Sequence, residues 1–135
     1  MLGDNFSLWG KLPKRDIPKV LKVATLATSV VIPVKELENN SANKFFDALA
    51  AGCPIAINHG GWMADIIREN QAGIIMPYGD RQRAARIILD FVSDSEKIAF
   101  AKKATFQLAL LEFDRNKLAQ TLEHVLVQSI ETFVK

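Results

Sequence analysis

One cysteine, two histidines and no Asp-x-Asp pair leave this 135-residue sequence little from which to build a disulfide framework or a metal centre. Cys53, between Gly52 and Pro54 in a run that reads as buried, is expected to be core packing in a reducing compartment. No apolar run approaches the roughly 18 residues of a membrane span, and Met1-Leu2-Gly3-Asp4 lacks the basic and apolar regions of a signal peptide. The expected location is therefore the cytoplasm, with room for weak peripheral association at the inner face of the membrane. Gly-x-Gly-x-x-Gly and Gly-x4-Gly-Lys-Ser/Thr are both missing, which removes the usual dinucleotide and P-loop fingerprints. The 17 basic and 15 acidic residues are too evenly balanced to imply nucleic acid as a partner. Low-complexity stretches, flexible linkers and internal repeats are absent as well.

What is there reads as one packed α/β domain, since 49% of the residues are hydrophobic and 24% charged. Phe6-Ser7-Leu8-Trp9-Gly10 alternates apolar and polar and predicts a strand ending on glycine. Asp16 and Pro18 open a helix that runs to about Ala27, with Val20, Leu21, Val23 and Ala24 as its buried stripe. Ser29-Val30-Val31-Ile32-Pro33 reads as a strand covered on both faces, as do residues 54–58 and 73–77. Helices at 43–51, closed by Gly52, and at 62–70 lie between them. Strand, helix, strand, helix, strand predicts a Rossmann-like parallel sheet flanked by helices. From about residue 81 the chain turns helical, with segments beginning near Asp94 and Asp114 expected to pack over the sheet.

In an open parallel sheet ligands bind at the carboxyl ends of the strands, which selects the loops at 11–15, 34–42, 59–61 and 78–80. The second is the richest in polar groups and runs into a helix whose free N–H groups favour anions. Lys44 in the first turn of that helix opposes its dipole, so something negative is expected nearby. Helical spacing sets Asn40, Lys44, Asp47 and Ala51 on one face. A lysine for phosphate, and a carboxylate one turn on to accept two ribose hydroxyls, suit a nucleoside diphosphate. Lys44 and Asp47 read equally well as an exposed ion pair worth a few tenths of a kcal/mol. Ser41 reads as a helix N-cap, a role compatible with the anion site because both use the same helix end. His59, on a ligand-side loop, and His124, on the last helix, read as solvated residues, and Trp62 as a packing residue or a wall of the crevice. Strands ending on Pro33, Asn58 and Pro77 supply no acceptor aspartate for a phospho-receiver domain.

From Glu38 to Gly52 the sequence resembles the C-terminal half of family-four retaining glycosyltransferases, which have the two-domain GT-B fold. Their signature is a glutamate, seven residues and a second glutamate, then a stretch like Ala-Leu-Ala-Ala-Gly-x-Pro. Here Asp47 takes the place of the second glutamate and Ala48-Leu49-Ala50-Ala51-Gly52-Cys53-Pro54 follows it. The likeness continues through Ile55-Ala56-Ile57, Gly60-Gly61-Trp62, Asp65-Ile66-Ile67 and Ala72-Gly73-Ile74, and upstream through Trp9-Gly10-Lys11 and Asp16-Ile17-Pro18. Asn40-Ser41-x-Asn43-Lys44-Phe45-Phe46-Asp47-Ala48 is most similar to transferases for amino-deoxy sugars, of the fucosaminyl type, in O-antigen and capsule assembly.

The resemblance implies a role for each residue of the site. Glu38 and Asn39 would face the donor sugar; Asn40, Ser41, Ala42, Asn43 and Lys44 would hold the diphosphate; Asp47 would hold the ribose; Gly10 and Lys11 would offer contacts to the base. It implies a nucleotide-diphosphate sugar as substrate, a polysaccharide or lipid-linked acceptor, no metal and no cofactor. Two departures stand beside it. Asn39 occupies the position of the first glutamate, with Glu38 one residue early. The basic pair of the family's first βα unit has no counterpart, because the likeness starts at about the family's third strand. The resemblance thus implies an incomplete donor-binding half that performs no transfer without its acceptor-binding N-terminal domain. It also predicts a sheet of the last three strands, with residues 6–10 loose, rearranged or paired with a second copy through a free sheet edge. The rival expectation is a non-catalytic fragment or interaction module that keeps the fold and weak nucleotide binding.

Overall fold

The computed structural model describes residues 3–133, and within them three short strands form one parallel sheet. β1 (Ala27–Ser29), β2 (Ile55–Ile57) and β3 (Gly73–Ile75) lie side by side in that order. Ala27 registers with Ile55, and Ile55 with Gly73. α2 (Asn43–Ala50) connects the first pair and α3 (Trp62–Asn70) the second. Before the sheet comes α1 (Ile17–Val23); after it come α4 (Arg81–Val92), α5 (Ser95–Leu111) and α6 (Arg115–Phe133). The α/β class with helices flanking a parallel sheet is as expected.

The core forms because three helices bring apolar positions to one face of β2. Phe45, Ala48 and Leu49 follow the i, i+3, i+4 spacing along α2, and Met63, Ala64 and Ile67 do so along α3. Both sets are buried with Ile55, Ile57, Cys53 and Leu108 of α5. Ala56, between the two isoleucines, points to the opposite face, as the period of two in a strand requires. It is fully buried although outside this cluster, while its neighbour Thr28 is exposed. Burial pushes the Cys53 thiol pKa up, and the thiol donates to the Pro54 carbonyl at 3.6 Å.

Helix ends account for most of the boundaries. α2 stops in a Schellman turn: Gly52, at φ +66°, donates to the Leu49 carbonyl at 2.9 Å, and Cys53 donates to the Ala48 carbonyl at 2.9 Å. Asp80, Asp94 and Asp114 each accept backbone N–H groups at the starts of α4, α5 and α6. By contrast, α2 and α3 begin at Ala42 and Gly61, neither of which supplies a side-chain cap. These two uncapped starts follow the carboxyl ends of β1 and β2, on the side of the sheet where the candidate loops gather.

Four expectations are corrected. Residues 6–10 form no strand; Phe6, Leu8 and Trp9 are exposed and have no partner strand among the described residues. The first helix ends at Val23 rather than near Ala27, because the chain is already extended at Ala24 on its way into β1. The first strand of the sheet is Ala27–Ser29 rather than 29–33, since β2 offers only three residues to pair with and Val30 and Ile32 fall beyond the ladder, exposed. α6 buries none of its residues and so does not cover the sheet, whereas α5 buries Ala101, Thr105 and Leu108 and packs mainly on α2. Among the described residues, no helix is long and apolar enough to cross a membrane.

Candidate functional site

Two cavities flank the segment that leads from β1 into α2. The first, of about 620 Å³, is lined by Lys11, Lys14, Asn43, Asp47 and Arg115 together with Phe46, Phe113 and other apolar residues. Lys11 and Asp47, 36 positions apart in the chain, thus meet at one surface. Asn43 and Asp47 reach it together because they stand one helical turn apart on α2, with Phe46 on the same face. Three cations and one carboxylate give the cavity a formal charge of +2, which suits an anion carrying more than one negative charge.

An aromatic cluster backs this cavity. Phe46 and Phe113 meet edge to face with centroids 5.3 Å apart, and Trp62 stacks on Phe46 at 6.1 Å and 29°. Phe45 joins all three from the core side. Trp62 is therefore a packing residue one ring removed from the cavity. The exposed side of Phe46 and Phe113 provides an apolar wall on which a flat ring can lie.

The second cavity, of about 580 Å³, opens at the carboxyl ends of the strands. Glu38, Lys35, Asn58, His59 and Tyr78 supply its polar side chains, and Val34, Ile75 and Met76 part of its apolar lining. Its walls are held by close backbone contacts. A Cβ at Gly61, already at φ +84°, would collide with the Glu38 carbonyl oxygen, and one at Gly60 would touch the Glu38 carboxylate at 3.7 Å. The glycine pair thus lets the Glu38 loop settle directly on the start of α3.

Among the residues singled out from sequence, Lys11, Asn43 and Asp47 line the first cavity and Glu38 lines the second. Gly10, Asn39, Asn40, Ser41, Ala42 and Lys44 line neither. Asn40 is not on the face of α2, because the helix begins only at Asn43; it closes the 3-10 turn Lys35–Asn39 by donating to the Leu37 carbonyl at 3.2 Å. Ser41 does not cap α2, whose cap residue is Ala42. Lys44 and Asp47 form no ion pair, so the exposed-pair reading fails on geometry. His124 is exposed on α6. Among the described residues, no group of three or more His, Cys, Asp or Glu side chains is placed to hold a metal ion.

Sequence reasoning missed Phe113 and Arg115 in the first cavity, and gave Lys14, inside the selected loop 11–15, no role. Asp114 marks a helix start and so fixes the local conformation of its two neighbours. Nothing local says that this turn returns to α2, more than 60 residues earlier. Comparison with protein-family models, with curated proteins and with solved structures gives no match.

Proposed function

We propose that the chain is the donor-binding half of a GT-B glycosyltransferase, and that it holds a nucleotide-diphosphate sugar across the two cavities. The observation that carries this reading is the meeting of Lys11, Asn43 and Asp47 in one cationic cavity walled by Phe46 and Phe113. The base would lie against the two phenylalanine rings, with Lys11 at its edge. Asp47 would accept hydrogen bonds from two ribose hydroxyls. The uncapped start of α2 offers free N–H groups to the diphosphate, with Asn43 beside them. Lys14 and Arg115 add positive charge of the kind the family's basic pair supplies elsewhere in its fold. The sugar would then reach toward Glu38. No metal is needed in this scheme.

Titration with nucleoside diphosphates of different bases, followed through Trp9 and Trp62 fluorescence, tests it. Trp62 reports on the cavity through its stacking on Phe46. Saturable quenching that Asp47→Ala weakens is the expected result. Absence of binding to every diphosphate, or unchanged binding in the variant, would remove the site.

A second reading, an interaction module that binds nucleotide without transferring a sugar, is favoured by one feature. α6 leaves Leu118, Leu122, Leu126 and Ile130 exposed along its length, an apolar stripe at helical spacing that the described residues leave uncovered beyond the edge of the first cavity at Leu118. Glycosyl transfer by a complex with an acceptor-binding domain separates the two readings.

A further inference from the structure

A third cavity, of about 550 Å³, lies against β3 and serves neither the sheet nor the nucleotide reading. Ile67 of α3, Ile74 and Ile75 of the strand, Phe91 of α4 and Phe100 of α5 give it an apolar lining, and β3 is the only strand that reaches it. That strand ends the sheet, so among the described residues no other strand pairs with its outer edge. Ala72 gives its carbonyl and Met76 its N–H to β2. Alternation therefore turns the N–H and C=O groups of Gly73 and Ile75 outward, away from β2. The opposite edge of the sheet, at β1, contributes to none of the three cavities.

A free edge beside an apolar groove takes an added strand, whose backbone bonds to the edge while its side chains fill the groove. The charges on the rim say which kind of strand. Arg68 is paired with Asp65 at 2.8 Å and Lys97 with Asp94 at 3.1 Å, each one helical turn away. Glu96 is the one charge of the lining without an ion pair among the described residues, and it repels an acidic segment. An uncharged strand with apolar residues two apart meets these conditions. The chain carries one. Asn5-Phe6-Ser7-Leu8-Trp9-Gly10 has neither charge nor proline, the composition that favours edge pairing, and in an extended chain Phe6 and Leu8 share a face. Phe6, Leu8 and Trp9 are 60%, 86% and 60% exposed, so the segment does not settle on the edge of its own copy.

We propose that two copies of the chain exchange this segment: Phe6–Gly10 of each pairs with the outer edge of β3 in the other, and Phe6 and Leu8 fill the cavity beside Phe91 and Phe100. The exchange stands apart from the nucleotide reading. A specific interface covers roughly 1,000 Å² or more, and reciprocal exchange approaches that size by making the strand contact twice about one two-fold axis. It also covers the exposed apolar side chains of both segments and gives the outward backbone groups of Gly73 and Ile75 their partners.

Analytical ultracentrifugation of the full chain over a wide concentration range is expected to show a reversible equilibrium between monomer and dimer. Leu8→Asp spoils the donated strand and Phe100→Glu the receiving groove. Both side chains are more than half exposed in the single chain, and the thermal midpoint of the monomer checks that each variant still folds. Each substitution should raise the dimer dissociation constant at least about a hundredfold, because in a two-fold pair it damages both contacts. Amide exchange locates the contact: the Gly73 and Ile75 N–H groups should exchange slowly in the wild-type dimer and freely in Leu8→Asp. A chain that stays monomeric with both amides unprotected overturns the exchange. So does a dimer that survives either substitution, which would pair through another face such as α6, and so does a dimer whose two amides exchange no more slowly than in Leu8→Asp. Protection of both amides in a monomer, lost in Leu8→Asp, would show the segment closing on its own edge and overturn the second copy as its partner.

Discussion

Asn58 and Val31 are joined by two hydrogen bonds of 2.8 Å, the Val31 N–H donating to the Asn58 side-chain carbonyl and the Asn58 amide donating to the Val31 carbonyl. The side chain thereby supplies to the backbone of residue 31 the two contacts that a longer β2 would have made. It extends the hold on β1 by two residues after the ladder itself has ended at Ser29 and Ile57.

Replacing Asn58 by alanine removes both bonds and leaves two half-buried backbone groups to find water. At about 0.5–1.5 kcal/mol net for each bond, a loss of about 1–3 kcal/mol is expected in urea unfolding. Asn58→Asp should be no better tolerated, because it keeps the acceptor but sets a carboxylate against the Val31 carbonyl. A loss well under 0.5 kcal/mol in both variants, below what one hydrogen bond contributes, would mean that Val31 is held in some other way.

Asn58 also shows why the first strand is misplaced when read from sequence. Val30-Val31-Ile32 is β-branched throughout and has the composition of a buried parallel strand, yet a strand extends only as far as its neighbour pairs with it. That neighbour was visible as an apolar run, but its usable length was not. Phe6–Gly10 fails similarly: alternation predicts a strand only where an edge receives it. Helices 43–50, 62–70 and 81–92 were legible because local signals bound them, such as Gly52 at a positive φ and the Asp80 cap. In the candidate site the sequence pointed to Asp47 and Asn43, but the face drawn by helical spacing, Asn40, Lys44, Asp47 and Ala51, is not the one that lines the cavity: α2 begins only at Asn43, and Asn43, Phe46 and Asp47 share that side. Arg115 and Phe113 were not legible, because only the tertiary return of the chain after α5 brings them to α2.

Gly61 is sensitive to a single added methyl on two counts. Its φ of +84° is costly for an L-residue, and a Cβ there would collide with the Glu38 carbonyl. Gly61→Ala should therefore cost about 1–3 kcal/mol from backbone strain and displace the Glu38 loop, moving the amide resonances of Glu38 and His59. Gly60→Ala, where the new carbon meets the Glu38 carboxylate at an ordinary 3.7 Å, serves as the control and should be milder. Equal tolerance at both positions would show that the Glu38 loop yields freely.

Asp94 links stability to pH. The Lys97 backbone N–H, followed by the Lys97 side chain, holds its carboxyl pKa below the ordinary 3.8. A lowered folded-state pKa means that the contribution is complete above the unfolded value and disappears as pH falls through the folded one. Asp94→Ala should accordingly be less stable than wild type at neutral pH, with the two thermal midpoints converging in strong acid. A gap between wild type and variant that stays constant from pH 7 to pH 2 would argue that the carboxylate charge is not what holds the start of α5.

Arg115 and Asp47 face the same cavity with opposite charges and should read different parts of one ligand. Arg115 is exposed, so water and salt screen its attraction for phosphate, and the full strength of a buried charge-assisted bond is not expected. Arg115→Ala should weaken nucleoside diphosphate binding about tenfold, near the lower end for a hydrogen bond to a charged group. It should also flatten the salt dependence and leave the weaker binding of the uncharged nucleoside almost unchanged. Asp47→Asn should do the reverse: it should narrow the preference for ribose over 2′-deoxyribose, since the amide replaces one of the two acceptor oxygens, while the salt dependence remains. Both effects are measurable by calorimetry with four ligands, the diphosphate and the nucleoside, each as ribose and deoxyribose. If both variants lose affinity uniformly across the four, the cavity is a general anion surface, and the assignment of phosphate to one end and ribose to the other falls.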